Sequence, residues 1–188
     1  MTKYAGKYRV ESTRKSNWDY GSNAPYFVTI CTKNREHFFG KIENNVMNLS
    51  EIGKAANNCW LSIPEHFPFV ELGEFIVMPN HVHGIIIINK PIIDAETQNF
   101  ASPQNKNQNF ISHKKETKNK FGPQSQNLGS IVRGFKIGVT LFSKNNELPF
   151  CWQPRYHDII ISNETSFKTI SNYIINNPIN WKIDKFHK

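Results

Sequence analysis

Apolar and polar positions follow several distinct rhythms along the chain, and each rhythm predicts an element. "YFVTICT" at 26–32, rich in β-branched and aromatic residues after Pro25, reads as a strand. Two short apolar pieces within 40–49 flank Asn44-Asn45, a pair suited to a tight hairpin turn. Ser50, a helix-capping residue followed by Glu51, opens a stretch in which Ile52, Ala55, Ala56, Cys59 and Trp60 recur at helical spacing until Pro64 stops it. Segments 69–78 and 81–89 are two strands joined by the turn pair Pro79-Asn80. The second is apolar at every position from Ile85 to Ile88, which predicts burial on both faces and a central place in a sheet.

From 90 to about 127 the character changes to Asn, Gln, Lys and Ser with few aliphatics, so a mobile polar insertion is expected rather than a second domain. Helical spacing returns over 128–142, where Leu128, Ile131, Val132, Phe135, Val139 and Phe142 form an apolar stripe. Arg133, Lys136 and Thr140 lie on its other side, and three glycines weaken the helix by about 1 kcal/mol each relative to alanine. Residues 156–162 read as the last strand, and 163–178 as a helix capped by Ser162 or Asn163 and ended by Pro178. The order implies an α+β domain over 25–188, an antiparallel sheet with helices packed on one face, behind a basic arm at 1–24. No internal repeat is visible.

At 188 residues the chain has the size of one domain, and 38% hydrophobic with 13% aromatic residues suffices for its core. The mean hydropathy of −0.52 traces to the polar insertion. A net charge of +8 spread along the sequence favours a polyanionic partner. In the arm, Lys3, Lys7, Arg9, Arg14 and Lys15 interleave with Tyr4, Tyr8, Trp18 and Tyr20, the mixture that grips a nucleic-acid backbone and stacks on bases; a solvated extension reads the same way. Cys31, Cys59 and Cys151 lack CxxC spacing, so neither a disulfide framework nor a four-cysteine zinc site is indicated. No apolar run is long enough for a membrane helix and the first residues do not read as a secretory signal, so a cytoplasmic location is expected.

The chemistry centres on "HVH". Residues two apart on a strand point to the same side, so His81 and His83 project together, half of a metal site or a pair of inert hydrogen-bonded imidazoles. In the last helix Tyr173 and Asn177 are four apart, which places a phenol beside a carboxamide oxygen; with Ile170 and Ile174 they also fit a core stripe. A tyrosine beside a metal on a basic sheet suits covalent phosphodiester chemistry. A metal-dependent phosphoesterase using water would need no such intermediate.

"MPNHVHGII", then "WQPRYHD", then "YIINNPINW" in that order resemble the HUH single-tyrosine (IS200-like) transposases, most closely the REP-associated tyrosine transposases, over about residues 25–182. The resemblance implies a ferredoxin-like antiparallel sheet carrying helices. It further implies that His81, His83 and Asn177 hold a divalent metal, Mg²⁺ or Mn²⁺, and that Tyr173 is the nucleophile. Such enzymes attack single-stranded or hairpin DNA, including repeated palindromes, leave a 5′-phosphotyrosine and a free 3′-hydroxyl, and rejoin strands by a second transesterification. They act alone or as homodimers. Arg133 and Lys136, with Arg9 and Arg14, are expected to contact the DNA. The chain departs from the family at Ser162, where relatives carry an arginine, and Tyr156 is a competing tyrosine at a position that is not nucleophilic in relatives. A non-cleaving nucleic-acid-binding module of the same fold is the alternative.

Overall fold

The computed structural model describes residues 14–91 and 125–187, with the backbone of two short paired strands, β1 (Lys3–Tyr4) and β2 (Lys7–Tyr8). Most of the expected insertion, residues 92–124, and Arg9 lie outside the described residues. The strands β3 (Ala24–Cys31), β6 (Val70–Met78), β7 (His81–Ile88) and β8 (His157–Ile160) form an antiparallel sheet in the order β6-β7-β3-β8. β7, the strand expected to be central, pairs with β6 on one side and β3 on the other, opposing His81 to Cys31 and His83 to Thr29. A separate hairpin, β4 (Gly40–Glu43) with β5 (Val46–Leu49), turns at Asn44 and Asn45, whose φ of 52° and 63° give the two left-handed residues of such a turn.

Among the described residues the α-helices are α1 (Glu51–Leu61), α2 (Ile63–His66), α3 (Leu128–Asn145) and α4 (Glu164–Ile175). Ser50 caps α1 by accepting a hydrogen bond from the Gly53 N–H. Asn127 and Ser130 cap α3 reciprocally, and Asn163 caps α4 through the Ser166 N–H. Pro64, expected as a stop, sits in the first turn of α2, where a missing N–H costs nothing. Gly138 brings α1 and α3 close, since a Cβ there would meet Cys59 Sγ at 2.9 Å.

The larger core lies between α1 and α3 and one sheet face, and includes Tyr26, Val28, Ile30, Trp60, Val82 and Ile86. The expectation of helices on one face holds for these two and fails for α4, which packs on the opposite face with Phe27, Ile85 and Ile174 buried beneath it. The cause is in β7 itself: consecutive isoleucines present apolar surface on both sides, and both sides need cover. Part of the expected arm is also in this core. Tyr20 is buried, Trp18 packs against the cluster, and the Trp18 indole N–H donates to the Tyr26 hydroxyl, so these two rings serve the fold. Among the described residues no helix is long and apolar enough to cross a membrane.

Candidate active site

His81 and His83 stand on the α4 face of β7 with ring centroids 4.3 Å apart, and both are buried. Each is oriented by a neighbour through one ring nitrogen. The Nδ1 of His81 lies 2.8 Å from the Asn80 carboxamide oxygen, an acceptor, so Nδ1 carries the proton and Nε2 keeps its lone pair. The Nδ1 of His83 pairs with the Thr29 hydroxyl at 2.9 Å, leaving Nε2 to face the Tyr173 hydroxyl at 3.2 Å. Asn80 is itself fixed, because its amide donates to the carbonyls of Arg35 and Phe186. The turn residue that joins β6 to β7 is therefore also the support of a histidine.

α4 ends at Ile175, two residues before Asn177, so the helix expected over 163–178 is shorter than its stripe. A tight turn still holds Asn177 beside Tyr173, with its N–H on the Ile174 carbonyl. Asn177 is buried, whereas Tyr173 is 40% exposed, so the phenol stands between the interior and solvent rather than in the core stripe. Phe27 fixes it from below, with edge-on contact to the Tyr173 ring and a tilted contact to His83.

Two polar atoms here are buried without a hydrogen-bond partner among the described residues: His81 Nε2 and Asn177 Oδ1. Buried acceptors left open cost about 1–3 kcal/mol each, and a cation satisfies them. Among the described residues no group of three His, Cys, Asp or Glu could hold a metal; the donors brought together here are two imidazoles and a carboxamide. Burial holds both histidines in the neutral form that binds metal. His81 is pushed well below its usual value by burial, then by His83, Arg35 and Lys185. His83 falls to about 3, by burial and then Lys185.

A pH dependence of stability follows. Both folded-state values lie below the unfolded one, so as pH falls the unfolded chain takes up protons first. Stability should be complete above about pH 6.5 and decline below it, by up to about 1.4 kcal/mol per pH unit for each histidine. For His83 the decline should run to about pH 3. Urea midpoints in chelator should therefore fall between about pH 7 and about pH 5. A flat midpoint would mean that neither histidine is buried as described.

Residues 181–187 close the site. Phe186 lies 4.5 Å from the His81 ring and 5.6 Å from that of His83. Asp184 Oδ2 accepts from the Tyr173 hydroxyl at 3.3 Å and from the Asn177 amide at 3.4 Å. Burial raises the Tyr173 phenol above its ordinary value, the Asp184 charge adds to this, and a hydrogen bond from Asn177 opposes it. Sequence reasoning missed Asp184 and Phe186, which lie beyond the family-like motifs. The aromatic residues Trp181 and Phe186 after the last helix were the available sign that this segment docks.

The remaining candidates lie elsewhere. Arg133 is exposed on α3, beyond the sheet from Tyr173. Lys136 donates to the carbonyls of Gln153 and Arg155, its ammonium sits over the Trp152 ring, and burial lowers its pKa. Arg14 lies 5.1 Å from the ring centroids of both Tyr20 and Tyr156 and donates to the Tyr156 hydroxyl. Burial pushes the Tyr156 phenol up to about 12, which disfavours the phenolate a nucleophile needs. Ser162 is exposed, and its hydroxyl accepts from the Asn163 amide.

No family model matches the chain. An uncharacterized protein of Haemophilus influenzae is 40% identical over 99% of this chain and 98% of its own length. Among solved structures, that of a REP-associated tyrosine transposase bound to a REP hairpin superposes with a TM-score of 0.55 at 16% identity. The match covers 94% of this chain and 77% of that one, a shared fold.

Proposed function

The chain belongs to one family with the Haemophilus influenzae protein, and we propose that it is an HUH-type single-tyrosine transposase acting on single-stranded or hairpin DNA. One observation carries this reading: an accessible phenol stands 3.2 Å from a buried imidazole nitrogen, beside two further buried acceptors that lack partners among the described residues. A core tyrosine has no need of that company. The fold it shares with a hairpin-bound transposase and the chain's positive charge support a DNA partner.

Tyr173 Oη attacks the phosphorus of a phosphodiester. The phenolic proton passes to Asp184 Oδ2, which already accepts the Tyr173 hydrogen bond. The new O–P bond replaces the bond to the 3′ oxygen, which takes a proton from water and leaves as a 3′-hydroxyl. The 5′-phosphate stays on Tyr173, and attack by another 3′-hydroxyl reverses the exchange and joins strands. His81, His83 and Asn177 would hold a divalent cation, Mg²⁺ or Mn²⁺, which would supply positive charge to polarise the phosphate. Asn80 holds the tautomer of His81, and Thr29 holds the His83 ring at its angle.

The test is incubation with labelled single-stranded hairpin DNAs and Mn²⁺, followed by a denaturing gel. A protein–DNA adduct that survives denaturation, and that is absent when a chelator replaces Mn²⁺, is the expected result. Cleavage without an adduct would assign the attack to water, and binding without cleavage would leave the non-cleaving module.

A further inference from the structure

Two cavities carry cations that the proposed chemistry does not use. One, of about 630 Å³, lies along the outer side of α3 and takes Arg133, Lys136, Lys144 and Arg155 into its wall. The other, of about 350 Å³, lies on the opposite sheet face over β3 and the start of β8, walled by Arg35, Arg155 and Lys185. Its remaining wall reaches the catalytic cluster: Thr29 orients His83, and Phe186 covers both histidines. Among the described residues no carboxylate lines either cavity. The two share Arg155 and Tyr156 and so adjoin at the β8 edge of the sheet.

The chain is built unusually at that junction. From Thr29 to Thr32 β3 advances three residues, while the opposing chain advances five, from His157 back to Trp152. Gln153 still pairs with Cys31 through its N–H, and the two extra residues make "PRY" at 154–156 swing out of the ladder, as in a bulge. Arg155, at its apex, is exposed and has φ of 67°, a left-handed conformation uncommon for a side chain of its size. Lys136 holds this shape by donating to the carbonyls on either side of Pro154, at 2.8 Å to Gln153 and 3.3 Å to Arg155. The fold thus gives up ladder pairing and places a lysine to stand one arginine on the sheet edge between two basic hollows.

We propose that the two cavities form one track for the backbone of single-stranded nucleic acid, which crosses the β8 edge at Arg155 and is delivered to Tyr173. α4 makes its main contacts with β6 and β7, on the far side of β3 from β8. Arginine at the crossing suits a phosphodiester, whose oxygens it can grip with two parallel N–H donors. The track deepens the transposase reading and rests on it for the identity of the strand's destination.

The test uses the full chain with Tyr173→Phe, so that nothing is cut, and two probes: a fluorescent oligothymidylate and a blunt hairpin without single-stranded ends. Arg155→Ala, and Arg133→Ala with Lys144→Ala, replace exposed side chains and should leave folding intact. Each variant should bind oligothymidylate about tenfold or more weakly. The slope of log affinity against log salt should shrink by about 0.7 for each phosphate that the variant no longer neutralises. Blunt-hairpin binding should not change. Unchanged oligothymidylate affinity and slope would overturn the track, as would a loss confined to the blunt hairpin, which would place duplex in the cavities. Adduct formation is read separately with Tyr173 intact, so its failure would count against the transposase reading and leave these binding results standing.

Discussion

Tyr173→Phe should form no denaturation-resistant DNA adduct under conditions in which the parent does, while its unfolding midpoint stays within about 0.5 kcal/mol. The substitution removes one oxygen from a ring that is 40% exposed and keeps the edge contact with Phe27. What disappears is the atom 3.2 Å from His83 Nε2 and 3.3 Å from Asp184 Oδ2. Removing the nucleophile of a covalent mechanism eliminates the intermediate rather than slowing it, so the readout is presence or absence. Tyr156→Phe is the matching control. Its hydroxyl is engaged by Arg14 and its phenol is pushed up to about 12, so its loss should leave the adduct in place. An adduct that survives in Tyr173→Phe and vanishes in Tyr156→Phe would reverse the assignment.

Gly84→Ala should cost more stability than an ordinary core enlargement, above about 3 kcal/mol, and should remove metal binding with it. Gly84 follows His83 and faces the α1 side of β7, where a Cβ would stand 2.2 Å from Trp60 Cζ2 and 2.8 Å from Cη2. Trp60 cannot retreat easily, since it stacks on Phe75 at 5.6 Å and meets Phe135 edge-on at 5.3 Å. β7 would have to shift instead, and the histidines ride on it. The two crowded atoms belong to the indole six-membered ring, so Gly84→Ala combined with Trp60→Phe should recover part of the loss. Denaturant midpoints of the two single variants and the double form the cycle that checks this. Costs that simply add would show that the glycine answers to something other than the tryptophan.

Much of this architecture could be read from the chain because its signals are local. Asn44-Asn45 needs two left-handed residues, Ser50 and Asn163 need only the next few N–H groups, and the β7 run carries its burial in its own composition. Which sheet face receives a helix is different. The stripe of Ile170 and Ile174 says that α4 has an apolar side, but not that it covers the face away from α1 and α3. The pairing of His81 with His83 and of Tyr173 with Asn177 was likewise legible from spacing, although the turn that keeps Asn177 in place was not. Asp184 and Phe186 come to the site only because Trp181 and Phe186 bury themselves, a long-range packing decision with no periodic trace. Arg155 was one cation among many until the mismatch between β3 and the chain opposite put it on the edge.

That mismatch also limits how copies of this chain can associate. An open sheet edge is a template for another strand, and among the described residues β8 is such an edge, four residues long with Ile159 45% exposed. A neighbour extending the sheet along β8 would find His157–Ile160 in register and then lose its partner at the departure of Tyr156, Arg155 and Pro154, the last of which has no N–H to offer. The detour that stands an arginine beside the site is therefore also a guard against edge-to-edge aggregation.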